Sequence, residues 1–154
     1  YMAIIEEAHR HGLHTYWHSC GYIWDILPDI VETGVDIINL DQPNLLGIDR
    51  LAECFGGRVC FCCPVDIQAT LPLGDAALAE REARKLIDKL GSCNGGFIGK
   101  EYDRLDDLGL RLEVLQAYSN VFRSFRYADR NSGEHKDSHV RTCCASTEAS
   151  HDKE

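Results

Sequence analysis

The feature of this sequence that most constrains its fold is a regular alternation of strand-like and helix-like segments. Short apolar runs without strict alternation are typical of parallel strands covered on both faces, and segments with apolar residues at helical spacing separate them. The predicted strands are 13–17, 35–40, 58–63 and 95–99, and the predicted helices are 4–10, 24–33, 49–55, 76–90 and 112–125. Such alternation predicts an α/β fold with about four parallel βα units and right-handed crossovers. Four units are half of an eight-stranded barrel or an open doubly wound sheet.

The chain divides at about residue 125. Residues 1–125 contain all the periodic segments, whereas residues 126–154 are mostly Ser, His, Asp, Glu, Lys and Arg, with Val140 as the large aliphatic residue. A segment this polar buries too little apolar surface to offset the entropy lost on ordering. We therefore predict a partial barrel domain at 1–125 and a disordered polar tail at 126–154.

Charge and cysteine usage narrow the function classes. The 25 acidic and 16 basic residues give a net charge of −9, which argues against a nucleic-acid partner and against an anionic membrane surface. We expect no secretory signal and no membrane helix, because the sequence shows no basic and apolar leader pattern and no apolar run near the roughly 20 residues that a membrane helix needs. Cys60, Cys62 and Cys63 lie in an apolar run, as small buried hydrophobes do. Reduced thiols and a cytoplasmic location are therefore expected.

Candidate ligands follow the predicted strands. His18 and Cys20 are two residues apart, so in an extended chain both side chains point to one face. Imidazole and thiolate together favour zinc, but a catalytic site needs a third protein ligand. That ligand would come from another loop, and the candidates are Glu101, Asp103, Cys62 and Cys63. A buried cysteine beside a hydrogen-bonded histidine is the alternative.

Asp66 and Gln68 follow the third predicted strand. In parallel α/β folds the chemistry collects at the loops after the strands. These two side chains either position a substrate, as catalytic residues, or satisfy the backbone of their own loop.

Several short motifs resemble, in their order, the C-terminal half of the uroporphyrinogen decarboxylase superfamily. They are WHSCG at 17–21, ILPD at 26–29, GVDIIN at 34–39, FG at 55–56, PVDIQ at 64–68 and GGFI at 95–98. The resemblance covers about residues 1–120. It implies a (β/α)₈ barrel of which this chain would form strands five to eight.

Two chemistries occur in that superfamily. The H-x-C-G motif resembles the zinc motif of methyltransferases of the methyl-cobamide:coenzyme M type, and His18 and Cys20 match it. The third family ligand is a cysteine after the last strand, a position that falls near Asp103 here. The chain lacks that cysteine, and a carboxylate would replace it, since Asp and Glu also bind zinc. The resemblance also implies Zn²⁺ and a cobamide carried by a corrinoid partner protein, with methyl transfer to a thiol.

Two alternatives accompany this expectation. True decarboxylases of the superfamily act on a tetrapyrrole, uroporphyrinogen, in haem synthesis and use no metal; their key aspartate and arginines would precede this segment. The other alternative is an inactive truncated fragment. Half a barrel leaves two strand edges and an apolar interior open, so we expect a homodimer or aggregation through those edges.

Overall fold

The computed structural model describes residues 1–93, 96–102 and 109–126 of the chain. Four strands form one sheet, in the order β1 to β4, and every neighbouring pair is parallel. The strands are β1 Tyr16–Ser19, β2 Ile37–Leu40, β3 Cys60–Cys63 and β4 Phe97–Gly99. This confirms the predicted α/β class with a parallel sheet. The predicted tail lies outside the described residues from position 127 onward.

The described part of the chain contains six α-helices. They are α1 Met2–Arg10, α2 Leu27–Glu32, α3 Pro43–Leu46, α4 Ile48–Phe55, α5 Ala76–Leu90 and α6 Leu112–Ser124, with a short 3₁₀ helix at Leu71–Leu73. No helix in the described ranges is both long and apolar enough to cross a membrane. The short helix α3, directly after β2, was not predicted from the sequence.

Two predicted elements, the first strand and α2, begin three residues later than the sequence indicated. The first strand begins at Tyr16 rather than at residue 13, since Leu13 is exposed and the backbone N–H of Thr15 donates to the Asp36 carboxylate. Helix α2 begins at Leu27 rather than at residue 24, with Pro28 in its first turn. A proline lacks the N–H that an interior helical position needs, so it is tolerated only where a helix begins.

The two faces of the sheet differ. On one face, every second side chain of the strands packs into the core beneath the helices. These side chains are Ile38, Leu40, Phe61, Cys63 and Phe97. On the other face Tyr16 is 55% exposed and Ile98 is 43% exposed. The described residues therefore cover one face of the sheet, whereas the sequence predicted coverage of both.

The strand order follows the chain without reversal. Right-handed crossovers that all progress in one direction place their helices on one face, whereas a doubly wound sheet reverses direction and has helices on both. The order among the described strands is therefore compatible with part of an α/β barrel.

Helices α5 and α6 pack against each other and close the β4 end of the core. Asp75 caps α5 by accepting a hydrogen bond from the Leu78 N–H, at 3.0 Å, as Ser, Thr, Asp and Asn do at helix starts. A Cβ at Gly99 would overlap the ring of Phe122. A glycine in β4 thus allows α6 to approach the sheet closely.

Candidate metal centre

Three potential metal ligands meet on the open face, at the carboxyl ends of β1 and β2. His18, Cys20 and Asp41 each offer one donor atom, and the three atoms lie within 4.8 Å of one another. The Cys20 Sγ atom is 3.5 Å from His18 Nε2 and 3.9 Å from Asp41 Oδ2. The β1–β2 register explains why they meet. His18 stands opposite Asn39, and Cys20 and Asp41 each lie two residues further along the chain, on the same face.

Asn39 decides which nitrogen of His18 carries the proton. The buried amide Nδ2 of Asn39 donates to the carbonyl oxygen of Cys62 at 2.7 Å, and Lys100 Nζ donates to its Oδ1 at 3.3 Å. A carbonyl only accepts and an ammonium only donates, so the amide orientation is fixed. Oδ1 therefore accepts from His18 Nδ1, at 2.7 Å. The lone pair of His18 is left on Nε2, facing Cys20.

Lys100 compensates the charge of Asp41. Its Nζ atom lies 2.8 Å from Asp41 Oδ1, and the two side chains are 26% and 10% exposed. Burial alone would raise the pKa of the Asp41 carboxyl, but the hydrogen bond and charge of Lys100 outweigh burial, with Tyr102 and His18 acting in the same direction. The pKa of Asp41 is thus below its ordinary value. The carboxylate is ionised at neutral pH, and its Oδ2 faces Cys20.

The chain turns sharply after Cys20. Gly21 has a φ of +81°, in the left-handed region that favours glycine. This turn directs the Gly21 N–H toward the side chain of Gln42, whose Oε1 accepts it at 2.6 Å. The positive φ at this turn thus explains why the H-x-C-G motif ends in glycine.

The donor set fits zinc. In a tetrahedral site, bond lengths of about 2.0–2.3 Å place neighbouring ligand atoms about 3.3–3.8 Å apart. The distance from Cys20 Sγ to His18 Nε2, 3.5 Å, lies in this range, and the distance to Asp41 Oδ2, 3.9 Å, is slightly longer. All three donor atoms lie within 4.8 Å of one another. An imidazole, a thiolate and a carboxylate are all zinc ligands, and three protein ligands leave one position for a substrate. Metal-binding histidines usually donate their other ring N–H to a neighbouring acceptor, which orients the ring. The hydrogen bond from His18 Nδ1 to Asn39 is a contact of this type.

The structure offers a third ligand that the sequence analysis did not name. Asp41 completes the donor cluster found among the described residues. The predicted ligand Asp103 lies outside the described residues and stays a prediction. The β1–β2 register places residues 18 and 39, and hence 20 and 41, side by side. No local signal in the sequence gives that register.

The other candidate ligands have different surroundings. Glu101 accepts from Arg123 of α6 at 2.8 Å. Cys63 is fully buried in the helix-covered core, where burial raises the pKa of its thiol well above the ordinary value. Cys62 lies on the open face and its Sγ accepts from the Tyr16 hydroxyl at 3.6 Å. None of the three is part of the donor cluster found among the described residues.

Asp66 lies in a network of its own loop. Its Oδ1 accepts from the N–H groups of Gln68 and Ala69, both at 2.8 Å, and its Oδ2 accepts from the Asn44 N–H at 3.2 Å. Asp66 is buried, whereas Gln68 is exposed. These contacts match the alternative in which Asp66 accepts hydrogen bonds from the backbone of its own loop. A catalytic role for Asp66 or Gln68 stays a prediction.

Glu82 is a polar residue that the sequence analysis missed. It lies on the buried side of α5, and its carboxylate accepts from the Asp66 N–H at 2.7 Å, from Asn44 Nδ2 at 2.9 Å and from the Thr70 hydroxyl. The carboxylate therefore joins α3, the loop after β3 and α5. The sequence did not indicate that Glu82 accepts these hydrogen bonds, because its partners lie in other segments of the chain.

Comparisons with known proteins identify no relative. The chain matches no protein-family model, no curated protein and no solved structure.

Proposed function

We propose that His18, Cys20 and Asp41 bind a zinc ion, and that the protein is a zinc-dependent, corrinoid-linked methyltransferase segment of the uroporphyrinogen decarboxylase superfamily. The observation that carries the proposal is the arrangement of the three donors around a histidine whose free lone pair is set by Asn39. The H-x-C-G resemblance supports it independently, because it singles out two of these ligands.

The position of the cluster also supports the proposal. Enzymes with parallel barrels have their active sites at the carboxyl ends of the strands. The cluster lies at that end, on the face that the described helices leave open. In a complete eight-stranded barrel this face would be the interior. The implied parent is therefore a full barrel in which further loops would enclose the site.

The residues of the chain suit the handling of a thiol. A zinc ion at this position would supply the positive charge that lowers the pKa of a substrate thiol. His18 would bind as a neutral ligand, and Cys20 and Asp41 would contribute two negative charges. Lys100 holds the second oxygen of Asp41, which reduces the net negative charge around the substrate. The thiol would lose its proton to solvent, and the thiolate would attack the methyl carbon of a methylcobamide on a partner protein. The S–C bond would form as the Co–C bond breaks, with its electron pair left on the cobalt.

Metal content tests the proposal without requiring a complete barrel. The purified chain is loaded with zinc, passed over a desalting column and measured by elemental analysis. We expect one zinc ion per chain, and loss of binding in His18→Ala and Cys20→Ala. Cys93→Ala is the matched control, because Cys93 is also an exposed free cysteine but lies away from the cluster. Absence of zinc in the wild type, or its retention in both ligand variants, would overturn the proposal.

Activity of the complete protein distinguishes the two branches of the superfamily. The methyltransferase proposal predicts zinc-dependent methylation of a thiol by a methylcobamide. Metal-independent release of carbon dioxide from uroporphyrinogen would instead identify the decarboxylase alternative.

A further inference from the structure

The loop that carries Cys20 is held by one side chain from the neighbouring strand end. Gln42 is buried, and its Oε1 accepts from the Gly21 N–H at 2.6 Å. Cys20 itself and Tyr22 are exposed. The position of the Cys20 thiol beside His18 therefore depends on how the chain is held at Gly21.

Gln42, in contrast, belongs to an anchored segment. It immediately precedes α3, in which Pro43 and Leu46 are buried. Asn44 in the same helix donates its backbone N–H to Asp66 at 3.2 Å and its side-chain amide to Glu82 of α5 at 2.9 Å. These bonds tie the segment to the helix layer, so the anchored partner in the Gln42–Gly21 contact is Gln42.

We propose that Gln42 is a positioning residue that holds Cys20 in the metal-binding geometry by fixing the Gly21 N–H. The proposal rests on the proposed zinc site and extends it to a residue outside the three ligands. The contacts that orient metal ligands typically change metal affinity about 10- to 100-fold when they are removed. We expect the hydrogen bond at Gly21 to act in the same way, because its loss would let the backbone next to Cys20 move away from the site.

The first test compares metal affinity in two Gln42 variants. Gln42→Met keeps the side-chain length without an acceptor, and we expect its Co²⁺ or Zn²⁺ affinity to fall about tenfold or more. The thiolate-to-cobalt absorption band of the Co²⁺ form should weaken in parallel. Gln42→Glu keeps an oxygen that accepts from Gly21, so we expect it to restore protection of the Gly21 amide from hydrogen exchange.

A matched control separates positioning from loss of stability. Thr70→Val removes a buried hydroxyl that donates to Glu82, away from the ligands. It should lower Tm while leaving cobalt affinity unchanged. If Gln42→Met lowers Tm in the same way and leaves affinity and the cobalt band unchanged, Gln42 has only a structural role and the proposal is wrong.

A metal-independent measurement keeps this proposal separate from the zinc proposal. The rate at which iodoacetamide alkylates Cys20, relative to the exposed Cys93, is read by mass spectrometry in the metal-free chain. We expect the ratio to change severalfold in Gln42→Met, because the Cys20 thiol leaves His18 Nε2, at 3.5 Å, and the Asp41 carboxylate, at 3.9 Å. A wild type that binds no metal overturns the zinc site. An unchanged alkylation ratio together with an unchanged Gly21 exchange rate overturns the role of Gln42.

Discussion

The Nδ1 atom of His18 lies 2.7 Å from the Oδ1 atom of Asn39, directly across the β1–β2 pair. Because Asn39 is buried and its own amide is committed to the Cys62 carbonyl, this contact selects one tautomer of the imidazole. A backbone register between two strands thereby determines the chemistry of a side chain that faces solvent.

Removal of the Asn39 amide should weaken metal binding without removing a ligand. We expect Asn39→Leu to lower zinc affinity about 10- to 100-fold, since His18 loses the acceptor that orients it. A competition titration with a chromophoric chelator measures the change. Thr70→Val, which removes a buried hydrogen-bonding side chain away from the cluster, is the control. Equal zinc affinity in Asn39→Leu and wild type would contradict the role of Asn39.

Lys100→Met should destabilise the protein by about 1–3 kcal/mol at neutral pH, because it leaves the largely buried Asp41 carboxylate without its cation. Denaturant unfolding measures the loss. Lys85→Met is the control and should change little, since Lys85 pairs with Asp49 at an exposed position. Unfolding midpoints that are equal in Lys100→Met and Lys85→Met would contradict the prediction.

The same ion pair makes a pH prediction. The folded pKa of Asp41 is below its unfolded value, so its contribution to stability is complete above about pH 4 and is lost as the pH falls through the folded pKa. Asp41→Asn should remove this part of the pH dependence. The measurement is the stability difference between wild type and variant at several pH values. A difference that grows toward low pH would have the wrong sign.

Glu82 should be important for stability although it takes no part in the proposed chemistry. Glu82→Ala removes the acceptor for two N–H groups and a hydroxyl, and we expect a loss of about 2–4 kcal/mol in the free energy of unfolding. Glu80→Ala on the same helix is the control, since Glu80 forms an exposed pair with Arg84. Similar stabilities of the two variants would show that the network contributes little.

Asp36 joins the amino ends of β1 and β2 to α1. Burial would raise the pKa of its carboxyl, but bonds from Thr15 and His9, at 2.7–2.9 Å, hold the pKa far below its usual range. We expect Asp36→Ala to cost about 1–3 kcal/mol at neutral pH. Since the folded pKa is lowered, the difference should persist at pH 5 and shrink well below about pH 4. Thermal unfolding across that range checks it.

The fold class was predictable because it depends on local patterns. Apolar runs such as 35–40 and 58–63, separated by helical spacing and glycines, indicate parallel βα units without knowledge of any contact. Helix α5 was predicted with both of its ends, since Asp75 and Gly91 are local signals. The start of α2 and the short helix α3 were missed, and both depend on a proline in the first turn.

The sequence by itself determined that His18 and Cys20 share a face, because two residues of extended chain suffice for that. Tertiary structure decided that Asp41 joins them, that Asn39 selects the imidazole tautomer and that Gln42 holds the turn at Gly21. These relationships cross between strands about 20 residues apart in the chain, and a parallel pairing register has no local signature. Spacing along the chain predicts which side chains share a face within one segment, but the site combines side chains from two segments that strand pairing brings together.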